Sequence, residues 1–213
     1  MGSRRSTISL CQPGSYRLYS TAELLRLPLP TWQIDNILPA GGRCGLYGPP
    51  GSCKSFVAMD MALSVAIGAP WASHDVQKGF VVYISAEGGA GVGKRVQAWL
   101  TAHETTAAQV GNNLAWLLEP IAVYEGSEPM LRLRSRIEEE IEREPSLIIV
   151  DTLARCFDGD ENLQEDMGRF IGGVDRLRRE FDSTVIVVHH TRLDADRERG
   201  STAFRGAADT MVY

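Results

Sequence analysis

Two rhythms of apolar positions alternate along the chain. Short runs rich in apolar residues at Arg43–Tyr47, Phe80–Ser85, Leu114–Leu118, Leu147–Val150, Thr184–Val188 and Thr210–Tyr213 predict strands. Between them, Phe56–Ile67, Val92–His103, Leu131–Arg143 and Leu163–Phe181 carry helical spacing. The Leu147–Val150 and Thr184–Val188 runs are apolar on both faces, as strands covered from both sides must be. Strands alternating with helices of this length predict a mostly parallel central sheet flanked by helices, an α/β fold. Ahead of the first strand, residues 1–20 are polar and aperiodic and are expected to form a tail, with residues 21–213 as one domain. Thr21 is the expected N-cap of a short helix, and Pro28, Pro30 and Pro39 break the lead-in to Gly41-Gly42.

Composition narrows this picture. With 213 residues, 44% of them apolar and 23% charged, the chain can bury a full core without metals or bridges. The net charge of −5 excludes a strongly basic nucleic-acid binder and leaves room only for local basic loops. Cys11, Cys44, Cys53 and Cys156 are scattered with no CxxC pair, which predicts free thiols and a cytoplasmic, reducing location. The most apolar stretch, Phe56–Ala72, is interrupted by Asp60, so no membrane partner is expected.

In a parallel α/β sheet, ligands bind beyond the carboxyl ends of the strands. Gly48, Pro49, Pro50, Gly51, Ser52, Cys53, Lys54, Ser55 and Phe56 stand there, between the first strand and a helix. This is the context of a phosphate loop: backbone amides wrap the phosphates, Lys54 reaches the terminal oxygens and Ser55 ligates Mg²⁺. Cys53 replaces the second glycine of the G-x-x-x-x-G-K-[ST] pattern. Gly88–Lys94 matches the glycines and lysine literally, but Arg95 stands where the metal-binding hydroxyl is needed, so the first loop is preferred. Asp151 ends an apolar strand, where a carboxylate holds Mg²⁺ through water. Glu87 follows another strand and can orient and deprotonate an attacking water. His189 and His190 close the VIVV strand; with no third ligand at metal spacing, one of them is expected to contact the γ-phosphate.

The segments LLRLPLPTWQIDNILPAGGRCGLYGPPGSCKSFVAMDMALSVAIGAPW, VVYISAEGG, IIVDTLARCFDGDENLQEDM, VIVVHHTR and GSTAFRGAAD, in this order, resemble the RecA-like P-loop ATPases. They are most similar to the RepA-like branch of AAA-type domains related to hexameric replicative helicases. The resemblance spans roughly residues 20–213. It implies ATP and Mg²⁺ as cofactors, Glu87 as catalytic glutamate, Asp151 as Walker B aspartate, and His189 or His190 as γ-phosphate sensor. It also implies a homo-oligomer, plausibly a hexameric ring, and a segment Thr191–Ala203 that can touch single-stranded DNA. That segment's Arg192, Arg197 and Arg199 are nearly balanced by Asp194, Asp196 and Glu198. Arg205 is the candidate arginine supplied to a neighbouring subunit's site.

The expected activity is Mg²⁺-dependent ATP binding and hydrolysis, serving a DNA helicase or single-stranded-DNA-associated motor in replication or recombination. The alternative is a nucleotide-binding regulatory or assembly module with little turnover. A small-molecule kinase would need a lid with clustered arginines, which is not found in the sequence. The chain stops at Tyr213, inside what should be a core strand, so a domain truncated at its C-terminus is expected. Cys53, at a helix N-terminus beside Lys54, predicts redox-sensitive nucleotide binding. Mild thiol oxidation is expected to weaken ATP binding, and equal affinities before and after would rule the sensitivity out.

Overall fold

The computed structural model describes residues 18–87, 89–124, 126–140, 143–190 and 203–213. The chain divides into two units, Met1–Pro30 and Thr31–Tyr213. In the first, α1 (Thr21–Leu24) is capped by Ser20, one residue before the expected Thr21. Ser20 accepts from the amide of Glu23 while the Glu23 carboxylate accepts from the Ser20 amide, a reciprocal capping box. Sequence position alone does not separate two adjacent hydroxyl residues; the glutamate three residues on selects Ser20.

The second unit opens with an antiparallel pair, β1 (Trp32–Ile34) and β2 (Leu38–Pro39), which the proline-broken lead-in did not announce. The remaining elements are β3 (Arg43–Gly48), α2 (Lys54–Ile67), β4 (Val81–Ser85), α3 (Gly89–Ala102), α4 (Ala107–Val110), β5 (Leu114–Leu117), α5 (Glu128–Glu140), β6 (Leu147–Asp151), α6 (Leu153–Cys156), α7 (Gln164–Phe181), β7 (Thr184–His190), α8 (Ala203–Ala207) and β8 (Thr210–Val212). The expected strands and long helices are present; α5 starts three residues earlier than predicted, and residues 141–142 of the predicted helix lie outside the described residues. A proline in the first turn is tolerated because its missing amide has no partner there.

β3 to β8 form one sheet in the order β5-β4-β6-β7-β3-β8, with every pairing parallel. Alternation along each strand sorts the core into two layers. Leu46, Tyr83, Ile149 and Val188 face α2 and α3; Val82, Ile148, Val150 and Val187 face α5 and α7. Helix α7 buries Met167, Phe170, Val174, Leu177 and Phe181, a stripe at three- and four-residue spacing. Asp60, which interrupts the longest apolar stretch, accepts from the indoles of Trp71 at 2.8 Å and Trp99 at 2.6 Å. It ties α2 to α3 and to the loop that follows α2.

No helix among the described residues is long and apolar enough to cross a membrane. Cys44 and Cys156 are buried free thiols, pushed by burial to about 12 and about 11; Cys53 is free and exposed.

Gly173 of α7 lies against the backbone of Val123 and Tyr124, where a Cβ would stand 2.6 Å from the Tyr124 Cα. Gly168 and Gly172 have nothing within 4 Å of that position. Gly173→Ala is expected to cost about 1–3 kcal/mol through overpacking. Gly168→Ala is expected to stabilise by roughly 0.5–1 kcal/mol through helix propensity. Urea unfolding of the two variants checks the opposite signs.

Candidate active site

The parallel register decides which strand ends meet. Gly48 pairs with His190 and Tyr47 with His189, while Asp151 pairs with Ser85 on one side and Val188 on the other. The carboxyl ends of four adjacent strands, β4, β6, β7 and β3, therefore share one edge of the sheet. Glu87, Asp151, His190 and the loop after Gly48 all stand at that edge.

The loop from Gly48 to Cys53 closes on the start of α2. At Gly48 a side chain would collide with Ser52, its Cβ lying 2.7 Å from the Ser52 Oγ. Gly51 takes φ 80° and Cys53 φ 62°, both left-handed. For Cys53 that conformation carries a cost of about 1–2 kcal/mol that glycine escapes. Cys53 is the N-cap of α2 but makes no side-chain cap, so its bend, not its thiol, starts the helix. Pro49, Pro50, Gly51, Ser52 and Cys53 are exposed, as is the Phe56 ring, which has the Arg95 guanidinium 5.8 Å from its centre. Lys54 is buried and donates to the carbonyls of Gly48 at 2.9 Å and Pro49 at 2.8 Å.

Asp151 is buried at the carboxyl end of β6. Ser55 donates to its Oδ1 at 3.1 Å and Tyr83 to its Oδ2 at 2.7 Å. Burial raises the Asp151 carboxyl above its ordinary value, opposed by these two hydrogen bonds and reinforced by Glu87. Burial also lowers the Lys54 ammonium, with Asp151 and Glu87 pulling it back. Tyr83 is driven well upward by burial and by Asp151.

Glu87 is exposed, with its Oε1 accepting from the Thr152 hydroxyl at 3.1 Å and lying 3.8 Å from the Arg155 Nε. The two histidines part company by strand alternation. His190 shares the α2 face with Val188, and burial followed by Lys54 lowers its pKa. His189 shares the opposite face with Val187: it meets Tyr47 edge-on at 5.1 Å and Glu161 at 3.5 Å.

Arg205 is exposed on α8, its guanidinium 5.9 Å from the centre of the Tyr213 ring. The segment carrying Arg192, Arg197 and Arg199 lies outside the described residues, as does Gly88. Gly89–Lys94, the rival phosphate loop, lies within α3, and Lys94 is exposed. Tyr83, Thr152 and Arg155 were not singled out from the sequence. Tyr83 carried no signal in the sequence, since the shared face with Asp151 follows from the register of β4 against β6.

The profile of a family described as an AAA domain matches residues 20–196. The DNA repair and recombination protein RadB of Methanobrevibacter smithii is 26% identical over 164 residues, covering 73% of this chain and 64% of that protein. The chain thus spans a little under two-thirds of that relative's length. The crystal structure of the RadB recombinase superposes with a TM-score of 0.55 over 82% of this chain and 74% of that one. The identity there is 15%, so the likeness is one of fold.

The buried Asp151 charge also makes a stability prediction. Because its folded pKa is raised, its contribution to stability falls as pH rises through that value. Asp151→Asn removes this loss and is expected to raise Tm at neutral pH by about 2–4 °C for each 1 kcal/mol recovered. The gain should shrink as pH falls to where the wild-type carboxyl is protonated. Thermal melts across that range check it, and a lowered neutral-pH Tm would contradict it.

Proposed function

The chain belongs to the AAA domain family and has a RecA-like P-loop ATPase fold, and we propose that it hydrolyses ATP with Mg²⁺ at the edge formed by β3, β7, β6 and β4. The observation that carries this reading is the gathering of Lys54, Ser55, Asp151, Glu87 and His190 there. Lys54 neutralises the terminal phosphates. The Lys54 and Ser55 amides stand at the N-terminus of α2, where backbone N–H groups favour an anion, whereas the Phe56 amide donates to the Cys53 carbonyl at 2.9 Å. Glu87 orients the attacking water and takes its proton. His190, on the α2 face, reads the γ-phosphate; His189 supports the strand from the other core.

The donor set fits Mg²⁺. The Ser55 hydroxyl and Asp151 carboxylate are hard oxygen donors 3.1 Å apart. When bound, the metal supplies charge neutralisation on the phosphate oxygens. The described residues contain no group of three or more His, Cys, Asp or Glu placed to hold a metal ion.

The biological setting is proposed to be DNA recombination or replication, in a cytoplasmic homo-oligomer that engages single-stranded DNA. The similarity to a protein named for DNA repair and recombination supports the first of these. A ring would let Arg205 serve a neighbouring subunit, and helicase action is the finer form of the same reading. The exposure of Arg205 on α8 leaves its guanidinium accessible to a neighbour.

ATP hydrolysis measured against protein concentration, with and without single-stranded DNA, tests the proposal. Lys54→Ala and Glu87→Gln are each expected to lower kcat by roughly 100-fold or more. Rate per subunit should rise with concentration if a neighbour completes the site. Full activity in both variants would overturn the assignment of the loop. Mg²⁺-dependent ATP binding with negligible turnover under every condition would favour the regulatory-module reading.

A further inference from the structure

Tyr83 has no part in the chemistry just described, yet it touches the residue on which metal binding turns. Its side chain is fully buried, with the ring 4.9 Å from that of Trp116 at an angle of 35°. Its hydroxyl lies 2.7 Å from Asp151 Oδ2 and 3.4 Å from the Ser55 carbonyl oxygen. The sheet builds this contact. β4 and β6 pair with Tyr83 opposite Ile149 and Ser85 opposite Asp151. Tyr83 thus stands one same-face step behind Asp151 on the neighbouring strand, a diagonal that a long aromatic side chain spans.

A carboxylate that accepts through one oxygen alone can turn about its Cβ–Cγ bond, a broad two-fold torsion. Here each oxygen has its own donor, from a different element: Tyr83 of β4 on Oδ2 and Ser55 of α2 on Oδ1. We propose that Tyr83 is a positioning residue for metal–nucleotide binding: its hydroxyl fixes the rotation of the Asp151 carboxylate so that Oδ1 and the Ser55 hydroxyl are presented together to a divalent cation. The proposal rests on the reading of Ser55 and Asp151 as the Mg²⁺-holding pair. It assigns the metal no contact with Tyr83. The tyrosine acts by removing alternative carboxylate orientations, as hydrogen-bond partners behind metal ligands do.

Tyr83→Phe keeps the ring against Trp116 and removes only the hydroxyl. The test is equilibrium binding of a fluorescent ATP analogue in Mg²⁺ and in EDTA, since the ratio of the two affinities isolates the metal's contribution. In the variant, the Mg²⁺ concentration giving half of the affinity increment is expected to rise by roughly 10-fold. Affinity in EDTA should stay within about 2-fold of wild type, because every phosphate-loop residue is kept and the hydroxyl meets that loop only through the long 3.4 Å contact to the Ser55 carbonyl. Trp116→Leu, which disturbs the ring packing but leaves the hydroxyl, should lower Tm without moving the Mg²⁺ midpoint. An unchanged midpoint in Tyr83→Phe overturns the proposal. So does an equal loss in the Mg²⁺ and EDTA arms, which would mark a packing defect. A wild-type protein that binds the analogue equally well in both arms would overturn the reading of the Mg²⁺ pair itself, and this proposal with it.

Discussion

Parallel, in-register pairing of β6 with β7 and of β7 with β3 is the constraint on which the site depends. The groups that meet at the carboxyl ends come from separate strands, far apart in sequence from one strand to the next. Gly48 and His190 are 142 positions apart by residue number but are direct register partners. A slip of one residue in β7 would exchange the faces of His189 and His190. The apolar pattern forbids it, because Val185 and Val187 must fill one core layer while Ile186 and Val188 fill the other. The polar edge is therefore aligned by the apolar residues behind it.

That edge is the least comfortable part of the fold. It buries an ammonium, Lys54, and a carboxylate, Asp151, and places a left-handed Cys53 between the loop and α2. Lys54 and Asp151 are each satisfied on neutral partners, carbonyls for one and hydroxyls for the other. Neutral hydrogen bonds only partly offset desolvation, which is why the lysine is shifted down and the aspartate up. Opposed shifts of this kind are in keeping with the proposed role of both groups toward a charged ligand.

Much of this was legible in the sequence, and the boundary of legibility has physical causes. The strands declared themselves because both faces are buried and the runs are continuously apolar. The candidate phosphate loop could be picked out despite Cys53 because Lys54 and Ser55, the side chains such a loop needs, are in place. The choice over Gly88–Lys94 turned on Arg95, and Gly89–Lys94 proved to lie within α3. The hairpin of β1 and β2 was hidden by Pro39, which sits at the end of a two-residue strand where no ladder amide is needed. The roles of His189 and His190 could not be separated before the strand's register was known, since adjacent residues differ only in the face they choose. Tyr83 was invisible for a related reason: its partner lies on another strand, and composition reports a tyrosine in a strand as packing.

The segment from Asp151 to Arg155 shows how little chain links the two ends of the site. Asp151 faces Ser55, whereas Thr152 and Arg155, one and four residues on, face Glu87. The Ala86 amide in turn donates to the Asp151 carbonyl at 2.7 Å, fastening the approach to Glu87 onto β6. The residue that would hold the metal and the residue that would activate water are thus set by one short turn. A displacement of that turn moves both together. The contacts differ in strength, however: Asp151 is buried between two hydroxyl donors, while the Glu87–Arg155 pair is exposed and adds little on its own. Glu87 is consequently the part of the site most easily redirected, by an incoming nucleotide or by a neighbouring chain, without disturbing the buried carboxylate on which the proposed metal pair depends.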